Sequence, residues 1–388
     1  MSIFEFNFAR QNYRRGEPAY MKRILHCADL HLTHETGESD YSFRVLEEIV
    51  SLAQRENVDF LIFCGDTFDT FKSAEVLCER FRKTLKRLYN LKEGLFTILL
   101  AGNHEMLDSR DRTLSSMDFG VSALAEASSF KFKLFSFPDK ELEFLAIPHR
   151  SNYSDYLEWI VPEKKSRFRL AVAHGSIAGL GVPVFDEEER GSVMDTDLFR
   201  RLSIDYALLG HIHTHFLGEC DGVLLTYPGS ARVWRKGEIG PRYVNIIEVC
   251  EEIKLKKVGL PSAGEYRFYR LPLTLEGNLS PTEELAESWG VNDFIHISLT
   301  GVVENQSSIS SLERELRKSY EDKVRRLEIE REDIISREGI SKHPLAVKFL
   351  QLWKEAEPEP EDGEAFKAWL RARSLGLKKI KERIESGR

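Results

Sequence analysis

The sequence of 388 residues has few cysteines, no long apolar run and no excess of positive charge. Its five cysteines are scattered and form no Cys-x-x-Cys pair, which favours a reduced, cytoplasmic protein. No apolar stretch approaches 18 residues, so no transmembrane helix is predicted. The first twenty residues lack the apolar segment of a signal peptide, and we expect them to be a flexible arm or the result of an early start codon. No membrane partner is expected.

Eight side chains suited to a metal site follow apolar runs in a fixed order along the chain. They occur in five strings: Ala-Asp-Leu-His at 28–31, Gly-Asp at 65–66, Gly-Asn-His-Glu at 102–105, Ala-His-Gly at 173–175 and Gly-His-Ile-His at 210–213. Each string alone is a weak signal, and a lone histidine in a loop is more often solvated than bound to metal. Five strings in this order are typical of a two-metal phosphoesterase site.

These residue types suit the hydrolysis of a phosphodiester. The substrate is an anion that repels nucleophiles, so hydrolysis near neutral pH needs positive charge at the phosphoryl oxygens and an activated water molecule. Two divalent cations supply both. A carboxylate must bridge the ions, and Asp66 suits that role because it lies between two groups of ligands in the sequence. Imidazole, carboxylate and amide ligands without thiolate favour manganese, iron or zinc, and manganese is the ion we expect.

Four short apolar runs, at 58–64, 95–100, 168–173 and 206–209, end directly at one of these strings. Such runs are typical of buried strands. The candidate ligands would then lie in loops at strand ends, where open α/β sheets build their sites. The segment 42–57 is predicted to be an amphipathic helix that covers the sheet. A second apolar stripe between Ala74 and Leu88 indicates either core packing or a dimer seam.

The strings at 25–32, 65–69, 101–104, 209–213 and 227–230 resemble those of calcineurin-like metallophosphoesterases. Within that group they are most similar to the SbcD family, nucleases that act with an SMC-like ATPase in DNA double-strand break repair. The resemblance covers about residues 21–250 well and the rest only in architecture. It implies DNA, an SbcC-type SMC-like ATPase and a second copy of the chain as partners. The homodimer would form through helices near the second stripe and near 114–125.

The resemblance also implies a fold class, an α/β calcineurin-like metallophosphoesterase sandwich with added parts. The expected divisions are a flexible N-terminal arm at 1–20, the nuclease domain at 21–260, a small α+β capping domain at 265–335 and a C-terminal helical docking element at 341–388. Strands at 266–275, 293–303 and 324–329 and helices at 282–289 and 308–320 are predicted for the capping domain. The capping domain carries no chemistry of its own in its sequence.

Ligand roles follow from the same resemblance, position by position. One metal ion would be held by Asp29, His31, Asp66 and His213. The other would be held by Asp66, Asn103, His174 and His211. His104 would be the catalytic histidine, which contacts the scissile phosphate and assists the leaving oxygen without binding metal.

Three positions next to these ligands depart from the family or vary within it. Thr33 stands where the family usually has glycine, and Glu105 replaces the usual aspartate, which affects the expected positioning of substrate more than metal binding. Asp69 stands where some members have a second phosphate-contacting histidine. From the residues alone, Asp69 and Asp108 are predicted to be turn or cap residues.

The remaining histidines and several arginines have less specific roles. Solvated or capping positions are expected for His26, His34, His149, His215, His296 and His343. The net charge of −8 includes carboxylates that bound ions would offset, so it does not exclude DNA binding. A phosphate-contacting rim, or equally a solvated surface, is formed by Arg110, Arg112, Arg150, Arg232, Arg235 and Lys236.

The C-terminal segment is predicted to contain two amphipathic helices, at 344–353 and 365–384, joined by an acidic linker that contains proline. Trp369, Leu370, Leu377 and Ile380 are predicted to form an exposed apolar stripe that docks the ATPase. Packing of the two helices on the chain's own core is one alternative. Binding of a membrane surface or nucleic acid by the basic face is another.

Three functions remain open at this point. The first is a metal-dependent DNA nuclease, with exonuclease and endonuclease activity, that acts with an SMC-like ATPase. The second is a phosphoesterase acting on nucleotides or phosphoproteins, and the third is a scaffold that bridges DNA ends. The capping and tail segments favour the first over the second, and the complete ligand set disfavours the third.

Overall fold

The computed structural model describes residues 5–7, 21–105, 113–126, 131–150, 152–181, 192–274, 276–279, 289–303, 306–336, 343–358 and 363–385. The chain divides into two compact units, residues 1–263 and 264–388. The helices of the described segments are all too short or too polar to cross a membrane. All five cysteines are free.

The first unit consists mainly of β-strands. The strands are β1 (Glu5–Asn7), β2 (Lys22–Cys27), β3 (Phe60–Cys64), β4 (Phe96–Leu100), β5 (Ala123–Ala125), β6 (Lys133–Phe137), β7 (Leu142–Ile147), β8 (Phe168–His174), β9 (Ser176–Ile177), β10 (Val193–Met194), β11 (Tyr206–Gly210), β12 (Phe216–Cys220), β13 (Val223–Tyr227), β14 (Gly240–Pro241), β15 (Tyr243–Val249) and β16 (Ile253–Gly259). The helices are α1 (Ser39–Arg55), α2 (Phe71–Tyr89) and α3 (Thr196–Arg201). Single 3₁₀ turns lie at Leu114–Ser116, Pro138–Lys140, Ser154–Glu158 and Pro261–Ala263.

Two large mixed sheets form the centre of this unit. The first has the order β1-β16-β15-β2-β3-β4-β5, and β2 to β5 are parallel in it. The second has the order β12-β13-β11-β8-β7-β6, with β13, β11, β8 and β7 parallel. Parallel strands end at one edge of a sheet, so the loops after β2, β3 and β4 meet on one side, as do those after β8 and β11. This arrangement confirms the expected α/β sandwich.

The sheets pack face to face through alternate residues of their strands. In β3, Phe60 and Ile62 contact the second sheet, in a cluster that includes Phe144 and Leu170. Leu61 and Phe63 point the other way, toward α1 and α2. A strand buried on both faces has a continuous apolar sequence. The four predicted strands are confirmed as β3, β4, β8 and β11.

Helices α1 and α2 cover the outer face of the first sheet. The predicted stripe of α1 is buried there, at Phe43, Leu46, Val50 and Ala53. The stripe of α2 lies in the same cluster from Ala74 to Leu88, so core packing accounts for it. The expectation of a helix near 114–125 is wrong, because the regular structure in that segment is a 3₁₀ turn and strand β5. The homodimer stays a prediction.

The segment expected to be a flexible arm contributes one described strand. Residues Glu5–Asn7 form β1, which pairs antiparallel with Lys254–Lys256 of β16. The rest of residues 1–20 lies outside the described part of the chain.

The second unit contains a parallel sheet of β17 (Glu265–Leu273), β18 (Phe294–Val303) and β19 (Arg326–Ser336), in that order. Helix α4 (Gln306–Tyr320) packs on one face of the sheet, where Ile309 and Leu316 join Ile295, Ile297 and Leu299. The chain continues through a 3₁₀ turn at Glu321–Lys323 and ends with α5 (Pro344–Glu355) and α6 (Gly363–Glu385). The helix predicted at 282–289 lies outside the described residues except for Trp289. Assignment of 265–335 as a capping domain stays a prediction.

The two C-terminal helices pack within the second unit, so the exposed stripe predicted on α6 is wrong in part. Leu370 and Leu377 are buried, and Arg373 Nη2 donates a hydrogen bond of 2.8 Å to the carbonyl of Leu273. The rings of Trp353 and Trp369 stack with centroids 3.4 Å apart. Sequence could not distinguish this packing from docking, because an amphipathic stripe has the same pattern whichever chain covers it.

A buried ion pair lies inside the second sheet of the first unit. Arg169 of β8 and Glu143 of β7 are register partners, and Arg169 Nε lies 2.6 Å from Glu143 Oε1. The guanidinium also donates to the carbonyls of Leu202, at 2.8 Å, and Pro162, at 3.0 Å. Arg169 therefore ties two strands to the segments that flank them.

Arg169→Ala should lower the free energy of unfolding by about 3–5 kcal/mol, because it leaves the Glu143 carboxylate buried without its partner. Urea unfolding followed by circular dichroism measures the loss. Arg200→Ala is the control, since Arg200 is exposed and pairs with Asp197 on the surface of α3, and it should change stability by less than about 0.5 kcal/mol. Equal stabilities of the two variants would contradict the structural role of the pair.

Candidate metal centre

Five loops from the two sheets converge at the carboxyl ends of their strands. The loop after β2 is tied to the loop after β3, since Asp29 N donates to Gly65 O at 3.1 Å and His31 N to Asp66 O at 2.9 Å. The end of β8 is tied to β3, since His174 Nδ1 donates to Cys64 O at 2.8 Å. Loops from both sheets therefore form a single site.

The first cluster consists of Asp29, His31 and His213, whose potential ligand atoms lie within 4.8 Å of one another. All three residues are buried. The Nε2 atoms of His31 and His213 are 3.3 Å apart. Two imidazole nitrogens bound tetrahedrally to one ion at about 2.0–2.1 Å would be roughly 3.3–3.4 Å apart. The donors of this cluster fit a divalent metal ion.

The second cluster consists of Asp66, His174 and His211, again within 4.8 Å. His174 Nε2 lies 3.3 Å from Asp66 Oδ2. Asn103 Oδ1 lies 3.0 Å from His174 Nε2 and 3.1 Å from His211 Nδ1. Its amide oxygen therefore faces the same point as the two imidazoles. All seven predicted ligands thus lie in two adjoining clusters, and His174 Nδ1 is 4.0 Å from Asp29 Oδ1 of the first cluster.

The backbone at the site is strained. Four of the seven residues have left-handed backbone conformations, with φ of 50° at Asp29, 45° at His31, 47° at Asp66 and 95° at His211. Non-glycine residues in this region cost on the order of 1–3 kcal/mol each and persist where the surrounding structure fixes them. Such strain is concentrated at functional sites, and it aims these side chains inward from the strand ends.

Two glycines permit the close approach of the loops. A Cβ atom at Gly65 would overlap the imidazole of His174, and one at Gly102 would overlap the carboxylate of Asp66. Gly65 also has a φ of 85°. Glycine at these two positions therefore allows the loops to approach closely at the candidate ligands.

A proton on His174 balances the charge of Asp66 within the site. Burial disfavours both charged forms, but the attraction between Asp66 and His174 outweighs it, so the pKa of Asp66 lies well below its usual value and that of His174 rises to about 9. Burial lowers the pKa of His31 well below its usual value and that of His211 to about 3. His31 and His211 are therefore neutral with lone pairs available, whereas a metal ion must displace the proton of His174.

His104 lies beside both clusters. Its backbone N–H donates to Asp66 Oδ1 at 3.0 Å, and its Nδ1 donates to the carbonyl of Asp69 at 2.9 Å. Nε2 is 4.0 Å from Asp66 Oδ2. The carbonyl fixes the ring so that Nε2 faces the site, and His104 with His31 and Asp69 forms a further close group of potential ligands.

Glu238 is a buried carboxylate that the sequence did not reveal. Its Oε1 accepts a hydrogen bond of 2.5 Å from His213 Nδ1, and its Oε2 accepts one of 3.0 Å from Trp234 N. Burial would raise the pKa of Glu238, but His213 lowers it, and Glu238 in turn raises the pKa of His213 against the effect of burial. Glu238 therefore orients the ring so that Nε2 of His213 points at Asp29 and His31.

Trp234 is a second residue that the sequence did not reveal. Its ring stacks on His31 with centroids 3.8 Å apart and planes 2° from parallel, and its Nε1 donates to Asp69 Oδ1 at 2.9 Å. The cap of α2 is Thr70, whose side chain accepts from Ser73 N, and Asp69 lies in the bend before it, so of the two predicted roles of Asp69 the turn position applies and the cap position does not. No spacing in the sequence connects residues 234 and 238 to the five strings.

Glu105 joins two of the site loops. Its carboxylate accepts from Phe68 N and from Gly102 N, both at 2.8 Å. Burial and then the charge of Asp66 raise the pKa of Glu105 to about 7. The side chain fixes the loops after β3 and β4, so this departure from the family bears on loop position. Thr33 is also buried, and its hydroxyl accepts from Glu35 N.

Several expectations about neighbouring residues are wrong. His26 and His149 are buried, not solvated: His26 bonds to Leu209 O at 3.1 Å and His149 to His174 O at 3.3 Å. Arg232 is buried and donates to the carbonyls of Leu30 and His31, so it is not part of a DNA rim. Residues 106–112, including Asp108, Arg110 and Arg112, lie outside the described residues.

Glu238→Gln should weaken binding of one of two metal ions by about 10–100-fold, because removal of a carboxylate that orients a histidine ligand has that effect in metal sites. Titration of the metal-free protein with manganese measures both affinities. The exposed Glu219, also in the first unit, provides the control variant Glu219→Gln, and thermal unfolding verifies that both variants fold. Unchanged affinity at both sites in Glu238→Gln would refute the positioning role.

A model of the calcineurin-like phosphoesterase family matches residues 22–215, half of the chain. The DNA double-strand break repair protein Mre11 of Thermoplasma acidophilum is 25% identical over 257 residues, which are 61% of this chain and 65% of that protein. The Mre11 of Saccharolobus solfataricus is 27% identical over 235 residues, 56% of this chain and 57% of that protein. The uncharacterized metallophosphoesterase YhaO of Bacillus subtilis is 22% identical over 250 residues, 58% of this chain and 57% of that protein.

The chain spans less than two thirds of the length of each of these curated relatives. The match to the family model contains all seven candidate ligands and His104. The chain therefore belongs to the calcineurin-like phosphoesterase family, a family of metal-dependent phosphoester hydrolases.

Proposed function

We propose that the chain is a metal-dependent DNA nuclease, with exonuclease and endonuclease activity, of a DNA double-strand break repair complex. The observation that carries the proposal is the convergence of seven donors from five loops into two adjoining buried clusters. Similarity to proteins named Mre11, at 25–27% identity, supports DNA as the substrate.

Two divalent ions, most favourably manganese, would be the cofactors. Asp29, His31 and His213 would hold one and Asn103, His174 and His211 the other, with Asp66 bridging them. Asp66 interacts electrostatically with both His31 and His174, one residue from each cluster, which supports the bridging position. When bound, such a pair supplies positive charge at the phosphoryl oxygens and activates the attacking water.

His104 would act on the leaving group. Its Nδ1 is held by the Asp69 carbonyl and its ring stands edge-on to Trp234, with centroids 5.1 Å apart, so Nε2 keeps a fixed direction. A protonated Nε2 would donate to the leaving oxygen as the P–O bond breaks. Trp234 also restricts the neighbouring His31, by stacking on its ring.

His104→Ala should reduce DNA cleavage by about 10²–10⁴-fold, because loss of a group that protonates the leaving oxygen has an effect of that size. Metal and DNA binding should remain close to wild type. End-labelled duplex, hairpin and single-stranded DNA with manganese provide the assay, and His34→Ala is a control, because His34 is exposed and bonds to Ser73.

Three outcomes of the same assay would contradict this proposal. Activity of His104→Ala within a few-fold of wild type would remove the proposed role of His104. Hydrolysis of a small phosphodiester without cleavage of any DNA would indicate a small-substrate phosphoesterase. DNA binding with full metal content and no hydrolysis would indicate a scaffold.

An SbcC-type SMC-like ATPase would be the partner of the C-terminal helices, and a homodimer remains part of the proposal. The face available for docking differs from the predicted stripe. Leu345 and Leu352 of α5 are each more than half exposed, and their spacing of seven residues puts them on one side of the helix. The buried residues of α5, Ala346 and Trp353, pack within the second unit.

The double variant Leu345→Glu/Leu352→Glu should lose capture of an SMC-like ATPase from the same organism, because it places charge in an apolar interface. Its fold and its hydrolysis of a small phosphodiester should be unchanged, since both side chains are exposed. Ile160→Glu, at an isoleucine of the first unit that is 91% exposed, is the matched control. Equal capture by both variants in a pull-down would reject docking through this face.

A further inference from the structure

The second unit contains a group of potential metal ligands outside the site described above. His296, Glu328 and Glu330 each offer one ligand atom, and the three atoms lie within 4.8 Å of one another. His296 of β18 is the register partner of Glu328 on the adjacent strand β19. Glu330 follows two residues later, so its side chain emerges on the same face of the sheet. The fold, and not sequence proximity, brings the imidazole to the two carboxylates.

The imidazole of His296 is held in a fixed orientation. It is buried, and its Nδ1 makes a hydrogen bond of 2.6 Å with the hydroxyl of Tyr266 on β17. The ring of Phe268 stands edge-on to it, with centroids 5.0 Å apart. Among the described residues, Nε2 makes no hydrogen bond, although Oε2 of Glu330 lies only 2.9 Å away. The contact is short but does not have hydrogen-bond geometry, so Nε2 and this carboxylate oxygen are placed where they could share one ion.

We propose that His296, Glu328 and Glu330 form a zinc site. Imidazole favours zinc over the harder cations, and three protein ligands with one water complete its usual tetrahedral shell. The Tyr266 hydroxyl provides the second contact that orients a metal-binding histidine. Glu330 is about half exposed, so the ion reaches the site from solvent, whereas His296 and Glu328 lie deeper.

A guanidinium competes with the zinc ion for one of its ligands. Arg326 pairs with the carboxylate of Glu328, so the ion shares this group with a guanidinium. The ion would link β18 to β19 by bonds from side chains, in addition to the ladder of backbone hydrogen bonds. Zinc binding at this site should therefore stabilise the second unit.

The test measures zinc bound by the full-length chain after complete removal of metal, by equilibrium dialysis and elemental analysis. His296→Gln and Glu330→Gln should each bind one zinc ion fewer per chain than wild type, or bind that ion at least tenfold more weakly. Because Glu330 is half exposed, Glu330→Gln keeps the test valid if His296→Gln fails to fold. Zinc should raise the thermal unfolding temperature of the second unit in wild type and not in the variants.

Glu332→Gln is the matched control. Glu332 lies on the same face of β19, but its carboxylate pairs with Ser298 and Arg270. The Glu332→Gln variant should bind as much zinc as wild type. Equal zinc content and equal stabilisation in wild type, His296→Gln and Glu330→Gln would overturn the proposal and leave a simple ion pair of His296 and Glu330.

Discussion

The pairing of Asp66 with His174 is the interaction on which the arrangement of the metal centre depends. Asp66 follows a strand of one sheet and His174 ends a strand of the other, so their contact at 3.3 Å joins the two layers of the sandwich. Both side chains are buried, where an isolated charge would be unstable. Their attraction keeps Asp66 ionised and places a proton on His174 at neutral pH. A divalent ion would replace that proton and strengthen the same link.

Several neighbouring groups hold this pair and the other donors in place. Glu105 fixes the loop of Asp66 to the loop of Asn103. Glu238 accepts a hydrogen bond from His213, and Trp234 stacks on the ring of His31. These contacts offset the cost of left-handed backbone at four of the candidate ligands. A site preorganised in this way binds ions with little rearrangement of its own.

The sequence predicted the central part of this arrangement for a clear reason. Buried parallel strands have continuous apolar sequences and end at a common edge, so strings that follow such runs must meet. Glu238 and Trp234 could not be found in this way, because they follow no predicted strand. They lie in the segment that follows Ser230. Ser230 itself forms an isolated bridge with Ala28, next to the first candidate ligand.

Burial of the C-terminal helices was not predictable either. An apolar stripe on a helix predicts that the stripe is buried, but it does not indicate whether the same chain or another chain buries it. Leu377 and Leu370 are covered within the second unit. The histidines illustrate the same limit, since His26, His149 and His296 are buried through contacts between segments that are distant in the sequence.

Crystals grown with manganese and measured at its absorption edge would test the central claim most directly, because anomalous differences locate the ions independently of activity. Two peaks per chain are expected in the first unit. One should lie among Asp29, His31 and His213, and the other among Asn103, His174 and His211, with the carboxylate of Asp66 between them. A single peak, or two peaks neither of which contacts Asp66, would contradict the two-metal arrangement.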